Sequence, residues 1–368
     1  MFDFQDRRLM IMALLLKGNG ARCAKALLAL AGVGALTLAG CAEPPKPLPP
    51  APIPPQAVAP PPVALSSHVI EAASEYRDYM RKATATPASF ANGSAIEDSL
   101  VADEAYEAQQ LSRGVIAYGA LVALQDPGFV AGVRTFAVDP DGRKAMAARI
   151  ASDPSYVAVL PSAASAAGLV IATLNNDSAK LRGSGELVKQ FAYDVQHQAW
   201  SKKDVIDPAG RLARAKSLSA APMTPVPDEV EGLKGAVTGS DSKVAPKMIL
   251  VSGVAAAPPY TPVVNRALAI AALAALGEGG EDNEAQVLSL LNESTGGFCL
   301  NMSKLNLYQC LAVAKPWYED VFCLGQHVLI DTSQCVAKEA GTVQPAQMAS
   351  APPAAPAPPT ARAPGASQ

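Results

Sequence analysis

Three histidines, six cysteines and one Ser-x-x-Lys tetrapeptide are the residues from which this chain could build chemistry. His68 borders a proline-rich run, and His197 stands between Gln196 and Gln198, so both read as solvated side chains rather than catalytic bases. His327 falls one helical turn after Cys323, which puts two metal-ligating side chains on one helix face. The cysteines of that region are ten residues or more apart, however, unlike the close pairs of structural zinc sites. Without a Cys-x-x-Cys motif, a thioredoxin-like redox function is disfavoured. Ser240 and Lys243 satisfy Ser-x-x-Lys, but in a glycine-rich stretch rather than opening a helix, and a serine nucleophile needs a positioned base. Gly277 to Glu284 is acidic and glycine-rich, yet lacks the alternating oxygen ligands of a calcium loop; it reads as a turn between helices. No Walker loop, dinucleotide fingerprint or nucleophile elbow occurs. The sequence leads us to expect no catalytic residue, cofactor or metal site.

The N-terminus carries a different kind of signal. Arg7, Arg8, Lys17, Arg22 and Lys25 make a basic region, long enough that Met10 or Met12 is an alternative start. Ala26 to Leu38 is uncharged and apolar, and Leu38-Ala39-Gly40-Cys41 follows. A basic start, a short apolar core and small residues before the cleavage point define a secretory signal, too short to span a bilayer as a helix. The tetrapeptide resembles the lipobox of bacterial lipoproteins. That resemblance implies removal of residues 1–40, a diacylglycerol on the Cys41 sulfur and a further acyl chain on its new amino group. Two chains already suffice for stable anchoring, so membrane attachment through Cys41 would be permanent. Ala42, in place of an aspartate, implies the outer membrane, with the body facing the periplasm. The alternative is an ordinary secretory signal in which Cys41 is incidental.

Residues 41–63 suit a tether. Eleven prolines fall within residues 44–62, and that density favours polyproline II, rising about 3.1 Å per residue and so reaching roughly 60 Å. Residues 341–368 are mostly Ala, Pro, Ser and Gln, too poor in large apolar side chains to offset ordering entropy, and disorder is expected. The whole chain carries a net charge of −3, and loss of the signal removes five basic and only two acidic residues. An acidic chain with scattered basic residues and 5% aromatics is a poor nucleic-acid binder, and no nucleic-acid partner is expected.

Between the flanks, apolar residues recur at helical spacing. Ser66 or Ser67 caps a first helix to Thr84, with Val69, Ala73, Tyr76 and Met80 on one face. Ser94 opens a longer helix toward Gln125, weakened by Gly114 and Gly119. Asp126-Pro127, Asp139-Pro140, Asp153-Pro154 and Asp207-Pro208 each pair a strong N-cap with a residue favoured at the first helical position, so each marks a helix start. Ser162 to Trp200 reads as helical with a break near Arg182–Gly185, Pro222 to Pro259 as irregular with a short strand at Met248–Val251. Pro262 to Leu276 is almost wholly apolar and should be the most buried helix.

Four cysteines then remain: Cys299, Cys310, Cys323 and Cys335. An even number in an oxidising compartment argues for disulfides. Leu300 to Val313 and Trp317 to Ile330 both look helical, with Lys315-Pro316 as the turn. Along one helix, cysteines 11 residues apart are about 16 Å apart, beyond the reach of a disulfide. Two antiparallel arms permit a single register, which the nested pairs Cys299–Cys335 and Cys310–Cys323 share and the interleaved pairs violate. The arrangement resembles the twin-cysteine hairpins of coiled-coil-helix proteins in architecture, though with intervals of ten and eleven residues rather than that family's nine.

The expected architecture is therefore mainly α. A helical, bundle-like body (64–295) carries a disulfide-braced hairpin (296–340) packed on it, flanked by Pro-rich segments. The expected role is structural, scaffolding or assembly work in the cell envelope without catalysis, with other envelope proteins as partners. The alternative is a helical module enclosing a lipid or another apolar ligand. The two differ in an observable way: a binding module needs an apolar cavity beside 262–276, whereas a scaffold needs a filled core and an apolar patch outside.

Overall fold

The computed structural model describes residues 59–238 and 252–341, and every element in them is helical. Cys41, Ser240, Lys243 and Met248–Val251 lie outside the described residues, as does all but the first residue of the C-terminal tail. Ser66 caps the first helix, α1 (Ser67–Thr84), its hydroxyl accepting from the His68 N–H at 3.3 Å. Val69, Ala73, Tyr76 and Met80 line its buried face, as their spacing predicts.

The single helix expected from Ser94 to Gln125 is two. Helix α2 (Gly93–Glu104) is capped by Asn92, and α3 (Ala108–Ala123) by Glu107, whose carboxylate accepts from the N–H groups of Gln109 and Gln110 at 2.8 and 2.6 Å. The break between them sends Tyr106 inward. Its ring lies 4.8 Å from that of Tyr79, and its hydroxyl bonds Thr332 at 3.2 Å. Burial of that large ring outweighs the continuity of local helix propensity.

All four Asp-Pro pairs open helical segments. They start α4 (Pro127–Arg134), α5 (Pro140–Ser152), a 3₁₀ turn (Pro154–Val159) and, after α6 (Ala163–Asp194), α7 (Pro208–Leu218). Each aspartate accepts from a backbone N–H two or three residues on, between 2.8 and 3.0 Å. The expected break in α6 near Gly183 and Gly185 does not occur. Gly185 is instead a contact point: a Cβ there would stand 2.8 Å from Ile330 and 3.0 Å from the Gly325 carbonyl oxygen. The glycine serves close approach of two helices, and tertiary packing offsets its propensity cost of about 1 kcal/mol.

Helix α8 (Pro227–Thr238) occupies part of the stretch read as irregular. Helix α9 (Pro262–Leu276) is the buried centre, capped by Thr261 and ended by Gly277 at φ +80°, a left-handed turn that glycine adopts without strain. Its ten residues from Ala267 to Leu276 are all fully buried. Alanines alternate with larger residues along it, so α3 approaches closely, Gly119 meeting Ala267. The acidic turn then leads to α10 (Glu284–Leu291).

The C-terminal hairpin consists of α11 (Ser294–Val313) and a continuous helical arm from Trp317 to Ala340. That arm begins as α12 (Trp317–Cys323), widens into a π-helical stretch (Leu324–Ile330) and ends as α13 (Asp331–Ala340). Its π stretch lies against α6 at the Gly185–Gly325 crossing. The end of the proline run is also held to the body. Arg134 donates to the Pro61 carbonyl at 2.9 Å, and Ala64 N–H donates to the Ala274 carbonyl at 3.1 Å. Residues 60–64 therefore form a docked strap rather than part of a free spacer.

Candidate functional site

The two disulfides are the nested pair: Cys299–Cys335 and Cys310–Cys323, with Cα separations of 5.7 and 5.8 Å. One antiparallel register satisfies both, as the spacing requires. Cys323 is thereby unavailable to His327 as a partner ligand. A Cys310→Ser/Cys323→Ser double variant should lose about 3 kcal/mol of stability, the chain-entropy value for a loop of this length. Thermal melts of the two proteins under oxidising conditions measure the difference, and equal melting temperatures would contradict it.

Between these bridges α11 is built inside out. Its only charged residue, Lys304, is 4% exposed. The ammonium sits 3.4 Å above the Tyr106 ring and donates to the Glu104 carbonyl oxygen at 3.3 Å. Burial pushes Lys304 down to about 7, against the pull of Glu104. Burial likewise pushes the Glu104 carboxyl up to about 8, and neither of its oxygens has a hydrogen-bond partner among the described residues.

At the C-terminal end of α11, Arg211 of α7 enters the interior and pairs with Asp320 of α12. The same guanidinium donates to the carbonyls of Leu311 and Ala314 (the latter at 3.2 Å). It thus satisfies carbonyls that the end of α11 leaves free and places positive charge at the negative pole of the helix dipole. Backbone bonds tie the turn to residues 201–205: Val205 N–H to the Lys315 carbonyl at 2.8 Å, Trp317 N–H to that of Lys203 at 3.2 Å. A water-sized cavity of about 10 Å³ lies among Glu104, Arg211 and Leu311.

The opposite face of α11 meets none of this. Phe298 is 67% exposed, Met302 41%, Leu305 48% and Val313 76%. Ser294, Thr295, Asn301, Gln309 and Ala312 are the other exposed residues of α11, so the helix itself exposes no charge. The disulfides and the Arg211 grip hold a rigid helix with an uncharged, largely apolar outer face.

The histidines fall as follows. His197 is exposed. His68 pairs with Glu284, beside Glu281, whose carboxylate accepts from the Ser67 N–H at 2.7 Å. In the same turn Glu278 pairs with Arg143 at 2.7 Å, so the acidic residues cap and brace helices. His327 Nδ1 lies 2.8 Å from Asp331. Burial raises the Asp331 carboxyl, but hydrogen bonds from His327, Gln326 and Asn306 outweigh it and leave the group below its ordinary value. Asp126, Asp139, Asp153 and Asp207 each cap their own helix. Of the aromatic residues in the hairpin, Trp317 is buried against Gly93, and Phe322 packs toward Tyr193.

Sequence reasoning missed the Lys304, Glu104, Arg211 and Asp320 group. It also missed the outer stripe of residues 298, 302, 305, 309 and 312, because Leu300, Leu307 and Leu311 make the opposite side of the helix equally apolar. The chain matches no protein-family model, no curated protein and no solved structure.

Proposed function

We propose that this protein is a lipid-anchored component of the bacterial cell envelope that works by binding other proteins, in a scaffolding or assembly role without catalysis of its own. The observation that carries the reading is the uncharged apolar face of α11, held rigid by two disulfides. Exposed apolar patches on a braced element mark interaction sites. The lipobox-like Leu38–Cys41 supports attachment through Cys41, and the disulfides suit an oxidising compartment such as the periplasm. The ligand-binding alternative places an apolar cavity beside α9, whereas that helix is enclosed by side chains of α3, α5 and α6.

Fractionation of cells producing the wild type and a Cys41→Ser variant tests the anchor. The wild type should sediment with outer membranes, and the variant should keep its signal segment or lose membrane attachment. A Cys41→Ser protein that is still cleaved at residue 41 and still sediments with membranes would overturn attachment through Cys41.

A further inference from the structure

The outer face of α11 carries a seam that the body does not use. Phe298, Met302, Leu305, Gln309 and Ala312 follow at intervals of four, three, four and three residues, and all five are exposed. This is the 3.5-residue period of helices that pack knobs into holes. We propose that this seam packs against the same seam of a second copy of this chain. The inference rests on the protein-binding role proposed for this face and names its partner.

Charge selects a second copy over other occupants. A two-fold contact sets one patch against itself, so any charge near the axis meets its own sign. From Ser294 to Ala314 the only charge is Lys304, and it is turned inward. The seam itself therefore meets its copy without like-charge repulsion, the exposed Lys216 of α7 lying over Tyr308 on the flank. A membrane surface calls for a row of basic residues along the flank, but Asn301, Tyr308 and Gln309 are neutral, and Lys216 is engaged over the Tyr308 ring, 5.8 Å from its centroid.

Gln309 adds a second argument. Its amide both donates and accepts, so a seam glutamine can bond its equivalent or a neighbouring amide across the axis. A single polar residue in an apolar seam also sets register. Pre-ordering helps further: both bridges and the Arg211 grip have already fixed the helix backbone, so association orders little more than side chains. The helix has 20 residues and is about 30 Å long. One helix pair of that length lies at the small end of specific interfaces, so the dimer is weak in dilute solution and gains where copies share a membrane.

The test uses the full chain in the envelope of intact cells, with a benzophenone amino acid at Leu305, the centre of the seam. Illumination should give a product at twice the chain mass whose peptides all come from this chain. Phe298→Glu combined with Met302→Glu should lower its yield at least tenfold, while non-reducing peptide mapping shows both disulfides intact. Retained yield in that variant, at intact disulfides, overturns the seam. Products with a different protein only overturn self-pairing and leave the protein-binding reading standing. Products with lipid only, or none with any protein, overturn both.

Discussion

Asp320→Ala should destabilise the protein by about 3–5 kcal/mol, the cost of removing one partner of a buried ion pair. Asp320 is fully buried and Arg211 is 3% exposed, so neither charge is solvated. Desolvation raises the Asp320 carboxyl to about 6, and Arg211 pulls it back, so the pair is ionised at neutral pH. With the carboxylate gone, the guanidinium keeps only the carbonyls of Leu311 and Ala314. The melting temperature should drop by roughly 10 °C for a body of this size. An Arg211→Met/Asp320→Leu double variant removes both desolvation costs but also takes the donor from the Leu311 and Ala314 carbonyls, so it should recover only part of the loss. Thermal unfolding of the three proteins at pH 7.5 measures this; a single variant within 1 kcal/mol of wild type would show that the pair does not secure the hairpin turn.

Glu339→Gln should make the protein increasingly more stable than wild type as pH rises from about 4.5 to about 8, and leave it unchanged below that range. Glu339 lies in α13 with its carboxyl buried between Ser112 of α3 and Gly296 at the start of α11. Ser112 donates to Oε1 at 3.2 Å, and Oε2 has no partner among the described residues. Desolvation raises the group from 4.5 to about 8; the Ser112 bond lowers it, and Glu293 raises it further. Between those two values the folded protein holds a proton that the unfolded chain releases. Stability from this group is therefore complete below about pH 4.5 and declines until pH passes about 8, by about 1.4 kcal/mol per unit. The total is on the order of 3–5 kcal/mol.

Glutamine keeps the shape and never ionises, so the variant lacks that decline. Lys304, pushed down to about 7 by burial, contributes the opposite slope above neutrality in both proteins and cancels in the comparison. Urea unfolding at pH 5, 6.5 and 8 should show the two stability curves diverging as pH rises. Parallel curves would mean that Glu339 is solvated.

Much of the fold was legible because its signals are local. A cap needs only its own side chain and the N–H groups that follow it, so Ser66 and the four Asp-Pro pairs announce helix starts without reference to anything distant. The cysteine pairing is a matter of register between two adjacent arms, which index spacing alone resolves. Composition likewise marks α9 as interior. The two failures at α2–α3 and in α6 share one cause: distant residues decided them. Tyr106 leaves helical geometry for a place beside Tyr79 and Thr332, and Gly185 stays helical because Gly325 and Ile330 fill the space beside it.

The same division holds for the candidate site. By itself the sequence determined a helix over 300–313, its two bridges and the near absence of charge along it. Leu300, Leu307 and Leu311 on one side are as apolar as Phe298, Met302 and Leu305 on the other, so no periodicity distinguishes inside from outside. Only the packing of α11 against α3, α7 and the C-terminal arm chose the inner face. It chose the side bearing Lys304, because Tyr106, Glu104 and Arg211, brought from other helices, provide the polar interior into which that face fits. The apolar seam was left outside as a consequence.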